Sequence, residues 1–174
     1  MLKSARARHA GSGLRFTITT GTGHGIVVDD GTGNAGPRPA ELLLAAQAGC
    51  TAMDVVSILV KKRQVVTGYA VAVEGVQRDD PHPHIYTRID IVHEVEGPDV
   101  ETEAVRRAIE LSATRYCTAG ANLSSGAAEI HHRYLIRRPD EADEEGEVVV
   151  TGPHAEVGAD APALAPAPAT GTPA

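Results

Sequence analysis

The sequence predicts an α+β fold, with strands in one layer and helices in the other, on three observations. Several short stretches alternate apolar and polar residues with period two. One segment, PAELLLAAQAGCTAMDVVSILVKKRQ, is apolar nearly all round and carries the start and stop signals of a long helix. The elements follow one another as ββ-α-ββ-α-β, and no internal repeat is visible.

LRFTITT (residues 14–20) and GIVVDD (residues 25–30) read as two short strands joined through GTGHG, a glycine-rich hairpin turn. GTGNAGPRP then punctuates the chain. Pro39 opens the long helix at a position whose missing N–H costs nothing, and Lys61, Lys62 and Arg63 close it at the negative end of the helix dipole. A helix apolar on all sides is expected at the centre of a fold, and Gln47, Asp54 and Ser57 argue against a membrane span. VTGYAVAVEGVQ alternates. IYTRIDIVHEVEG places Ile85, Thr87, Ile89, Ile91, His93 and Val95 on one face of a strand, opposite Tyr86, Arg88, Asp90, Val92, Glu94 and Glu96. DVETEAVRRAIELSATRY is a second helix with Asp99 as N-cap and Glu101 and Glu103 in its first turn, breaking near Cys117. A short helical turn over residues 118–123 precedes a last strand ending at Ile136.

A chain of 174 residues is expected to hold one domain, here residues 12–138, between a flexible N-terminus (1–11) and a disordered tail (139–174). With 42% hydrophobic and 22% charged residues a packed core is within reach. Aromatic residues are only 3%, which excludes a base-stacking platform for single-stranded nucleic acid. Two cysteines do not make a disulfide-stapled scaffold. The net charge of -7 belongs to the tail, which has eight acids and no Lys or Arg; residues 1–138 keep 16 bases against 15 acids, a net of +1. A neutral body gives no electrostatic footprint for nucleic acid or an anionic membrane. The tail, acidic and then rich in Pro and Ala, is expected to be solvated. MLKSARARHA lacks the apolar core of a secretory signal, so a cytoplasmic protein is expected.

Gln47, Cys50, Asp54 and Ser57 stand at i, i+3, i+7 and i+10 of the long helix and form one polar stripe. Burying unpaired polar groups costs about 1–3 kcal/mol each, so the stripe must face a polar site, another chain or water. Cys50 is then either a small buried hydrophobe or a reactive thiol within that line. Cys117, 67 residues later, is either an unrelated core residue or one of a pair in which one thiol attacks and the other condenses with the resulting sulfenic acid, and the spacing does not decide between them. His131 and His132 are adjacent on a strand and point to opposite faces, and no HxxxH, HExxH or CxxC exists, so no metal is expected. Walker, GxGxxG and GxSxG motifs are likewise absent, so no cofactor is expected and serine hydrolysis has no carrier.

PAELLLAAQAGCTAMDVVSIL, joined later by RYCTAGANL, resembles the OsmC/Ohr family of osmotically inducible and organic hydroperoxide resistance proteins, in its OsmC-like, YhfA-type subgroup. The resemblance covers roughly residues 12–137. It implies antiparallel sheets wrapped around a long central helix in an intertwined homodimer. It also implies thiol peroxidase chemistry on organic hydroperoxides, with Cys50 as reactive and Cys117 as resolving cysteine, and a dithiol reductant that reopens their disulfide. The alternative is a non-catalytic dimeric module that binds a small apolar ligand. Peroxidase members place a Glu ten residues before the reactive Cys, where this chain has Ala40, with Glu41 one step on. Gln47, Asp54, Glu41 and, for the family's arginine, Arg15 or Arg38 are the supporting candidates.

Overall fold

The glycine-rich turn at residues 21–24 lets β2 (Phe16–Thr20) fold back on β3 (Gly25–Val28) in the expected antiparallel hairpin. The computed structural model describes residues 2–153. β1 (Ala5–His9) adds to the other edge of β2, so a segment expected to fray is ordered by backbone pairing. Its five side chains are all exposed, which is why no alternation betrays it. This three-stranded sheet lies beside the start of the long helix and leaves most of both faces to solvent.

Helix α1 (Pro39–Lys61) begins where its sequence signals place it. Arg38 is the N-cap, and its backbone N–H donates to the Glu41 carboxylate at 2.7 Å. Glu41 is thus a capping residue on the exposed surface of the first turn. α1 buries a single line, Gln47, Thr51, Val55 and Leu59, at i, i+4, i+8 and i+12. The expectation of a helix buried on all sides is corrected within one chain, because Leu43, Met53 and Val60 are 49%, 77% and 64% exposed.

The second sheet runs β4-β5-β6-β7, from β4 (Gly68–Gln77), β5 (Tyr86–Glu96), β6 (Glu129–Arg137) and β7 (Glu144–Thr151). β4 and β7 pair antiparallel with their neighbours, but β5 and β6 are parallel, so the sheet is mixed rather than antiparallel throughout. A parallel pair needs a crossover, supplied here by α2 (Thr102–Leu111), a π-helical turn (Ser112–Tyr116) and α3 (Thr118–Ser124). The N-cap of α2 is Glu101 and not Asp99. β7 shortens the expected tail: once EEGEVVVT finds the free edge of β6, the acids at its start no longer keep it in solvent. The remainder of that tail lies outside the described residues from 154 onward.

Of the residues expected on one face of β5, Ile89, Ile91, His93 and Val95 are fully buried, whereas Thr87 is exposed and Ile85 precedes the strand half-buried. Tyr86, expected on the face opposite Ile89, turns to the same buried side because the register slips between Val76 and Gln77. Its hydroxyl then donates to the Ala40 carbonyl of α1 at 3.0 Å. Two apolar clusters result. One gathers Val55, Leu59, Val95, Ile109 and Ile136; the other gathers Tyr86, Ile89, Ile91, Ala128 and Ile130. His93 and His132 fall in strand order between them, forming with their neighbours a polar seam across the core.

Candidate active site

α1 brings Cys50 and Asp54 one turn apart, on the flank between its buried line and its exposed face. The crossover brings Cys117, which caps the N-terminus of α3 and is 3% exposed. The two sulfurs and an Asp54 oxygen all lie within 4.8 Å of one another. Residues 67 positions apart in the chain are therefore one cluster, and both thiols are free.

The stripe anticipated on α1 is only partly one surface. Gln47 is fully buried, Cys50 and Asp54 are half-buried, and Ser57 is exposed. Ten residues of helix advance by about 1000°, leaving Ser57 some 80° round from Gln47 and outside the site. The Gln47 Oε1 atom sits 3.9 Å from Cys117 Sγ, which donates toward it, while Gln47 Nε2 has no hydrogen-bond partner. Gly120 closes the other side: its N–H donates to Cys117 Sγ at 3.3 Å. A Cβ on Gly120 would stand 3.3 Å from Gln47 Oε1 and 3.4 Å from Cys117 Sγ, so the close approach of α3 to the thiol leaves little room for a side chain there.

Beneath the cluster Ser112, the first residue of the π-helical turn, donates to Asp54 Oδ2 at 3.1 Å and lies 3.0 Å from Thr51 Oγ1. A hydroxyl has one proton, so with Ser112 committed to Asp54, Thr51 donates to Ser112. Neither Thr51 nor Ser112 was among the sequence candidates. Thr51 had a signal, standing one turn past Gln47 on the same line; Ser112 had none, since its role depends on where the crossover lands.

Burial raises the Cys117 pKa to about 12, and the neighbouring Cys50 and Asp54 act in the same direction against the opposing Gly120 hydrogen bond. Cys117 is therefore a protonated thiol at neutral pH.

Arg15, Arg38 and Glu41 do not join the thiols. Arg15 Nε donates to Asp29 Oδ2 at 3.2 Å, tying the edge of β2 to the loop after β3. Burial acts to raise the Asp29 pKa, but N–H groups of Asp30 and Ala35 together with Arg15 outweigh it and hold the carboxyl below its ordinary value. Arg38 pairs with Glu41 at 3.4 Å across the helix start. Asp29 and Arg38 border an open pocket of about 460 Å³ that Leu14, Phe16, Val28 and Pro39 also line. Among the described residues no guanidinium hydrogen-bonds to either sulfur.

The family model described as OsmC-like protein matches residues 31–145, which include both cysteines. The chain is 39% identical over 124 residues to protein YhfA of Escherichia coli K12, covering 71% of this chain and 91% of the relative. Its fold is similar to a hypothetical protein from Aquifex aeolicus VF5, at 29% identity and TM-score 0.69, covering 80% of this chain and 99% of that one. It is also similar in fold to the organic hydroperoxide resistance protein OhrB of Bacillus subtilis, at 14% identity and TM-score 0.54, covering 77% and 98%.

Proposed function

The chain belongs to the OsmC-like protein family, and from that membership we propose that it is a cytoplasmic, thiol-dependent peroxidase that reduces organic hydroperoxides. The observation that carries this reading is the contact between Cys50 and Cys117, two thiols drawn from separate elements into one cluster. The half-exposed Cys50 meets the substrate, and the buried, protonated Cys117 waits beside it.

In the proposed cycle the Cys50 thiolate attacks the outer oxygen of a hydroperoxide. The O–O bond breaks, the alkoxide takes a proton and leaves as an alcohol, and Cys50 becomes a sulfenic acid. Cys117 then attacks that sulfur; its proton and the hydroxyl leave as water, and a disulfide closes. An external dithiol returns the two electrons and restores both thiols. The name of the Bacillus subtilis relative supports hydroperoxide as the substrate class.

The proposal includes a homodimer. The open faces of the β1-β2-β3 sheet and the exposed apolar face of α1 are surfaces that a second copy would cover, and Cys50 lies on the flank of that face. Burial there would exclude water from the sulfur and favour alkyl hydroperoxides over hydrogen peroxide.

The test is to mix the reduced protein with excess cumene hydroperoxide and follow thiols and peroxide together. Both thiols should disappear with stoichiometric peroxide consumption. Cys50→Ser should abolish consumption, while Cys117→Ser should leave a sulfenic acid that dimedone traps. Retention of both thiols would end this reading. The pocket of about 460 Å³ favours a second one, a non-catalytic module for a small apolar ligand. It requires unreactive thiols together with a thermal shift on adding lipophilic compounds.

A further inference from the structure

The cluster that brings the thiols together also has the make-up of a metal site. Cys50 and Asp54 stand at i and i+4 of a helix, a spacing that directs two side chains to one point on its surface. Cys117 supplies a third donor from the crossover. All three donor atoms lie within 4.8 Å of one another. Tetrahedral zinc bonds of about 2.3 Å to sulfur and 2.0–2.2 Å to oxygen set donors slightly under 4 Å apart, so the cluster is within about an ångström of that separation. HxxxH, HExxH and CxxC spacings all miss this arrangement, because its third donor arrives only through the fold.

A second observation points to a ligand independently. Gln47 is fully buried with its amide against Cys117, yet its Nε2 has no acceptor. Buried amides without a partner cost about 1–3 kcal/mol, so what this group lacks is an acceptor close to Cys117. A water or hydroxide in the fourth position of a metal would provide it. Asp54 is also oriented by Ser112 in the way that ligating carboxylates are held by outer hydroxyls.

We propose that the reduced protein binds one divalent zinc-like cation per chain through Cys50 Sγ, Cys117 Sγ and an Asp54 carboxylate oxygen, with water completing the coordination. Two sulfurs and one oxygen form a borderline-soft donor set, which selects zinc or cobalt over magnesium and calcium. Binding displaces the two thiol protons to solvent, and three ligand charges of -1 face a charge of +2. The same sulfurs then serve either the metal or the hydroperoxide, so the ion holds the site in a protected, reduced form.

The experiment uses the full chain, reduced, stripped with chelator and titrated anaerobically with Co2+ alone. The expected result is a sulfur-to-cobalt charge-transfer band that saturates at one ion per chain and is erased by added Zn2+. Alkylating the wild-type thiols with iodoacetamide should abolish it. Asp54→Asn should weaken Zn2+ binding at least tenfold in a competition with a chromophoric chelator, at unchanged circular dichroism. A reduced, folded protein with no such band, or a Cys50→Ser variant that binds Zn2+ as tightly as wild type, would overturn the proposal. No peroxide enters the assay, so its outcome is separate from that of the peroxidase test.

Discussion

Ser112 supports the site from below without touching a sulfur. It accepts from Thr51 and donates to Asp54, and both Thr51 and Ser112 are fully buried. Ser112→Ala removes both partners at once, leaving Thr51 with a buried hydroxyl and Asp54 short of a donor. Such losses cost about 1–3 kcal/mol, so thermal denaturation should show a Tm lower by several degrees. An unchanged Tm would mean that water replaces the hydroxyl and the bridge is dispensable. At this scale Cys50 and Cys117 could be read from their local contexts, whereas Ser112 could not. Its neighbours SATRY carry no pattern, and its value comes from 61 residues of separation from Thr51 closed by folding.

At the scale of elements, the parallel pair β5–β6 places His93 and His132 in the interior, their rings stacked with centroids 6.3 Å apart. Tyr69 lies 2.6 Å from His93 Nδ1, and with an imidazole kept neutral its hydroxyl donates to that nitrogen. Burial, reinforced by each ring's histidine neighbour, lowers the pKa to about 3 for His93 and about 4 for His132. In the unfolded chain both titrate near 6.5. The unfolded state therefore binds more protons between about pH 4 and 6.5, and the stability present above that window is lost as the pH falls through it. Tm measured from pH 7 to pH 4 should drop steeply, and His132→Leu, which is close to volume-conserving and has no charge to acquire, should flatten the slope. Equal slopes would remove the seam as the cause. The alternation that locates His93 was legible on β5. β1 and β7 were not, since ARARH has no buried face and the acids of EEGEVVVT disguise an edge strand whose order comes from pairing with β6.

For the whole molecule the unresolved contradiction of a single chain is its long helix, which the sequence marks as a core element and one copy leaves half uncovered. The exposed residues Ala46, Gly49, Met53, Ser57 and Val60 lie within about 40° of one line, directly opposite the buried Gln47, Thr51, Val55 and Leu59. A stripe of this length, apolar or small but for Ser57 and next to a sheet open on both faces, is what partner association covers. Cys50 sits about 60° from the centre of the stripe, so the same association would shield the sulfur and set its substrate preference. Met53→Glu tests this at a position 77% exposed, where one copy loses nothing by the change. The wild type should have the mass of a dimer by light scattering and Met53→Glu that of a monomer, with the circular dichroism of the two alike. In the variant, hydroperoxide turnover should fall while iodoacetamide reacts faster with Cys50, because the thiol is then open to water. A wild type that is already monomeric at working concentration would detach Cys50 from any interface and leave the shielding of its sulfur to the fold of one chain.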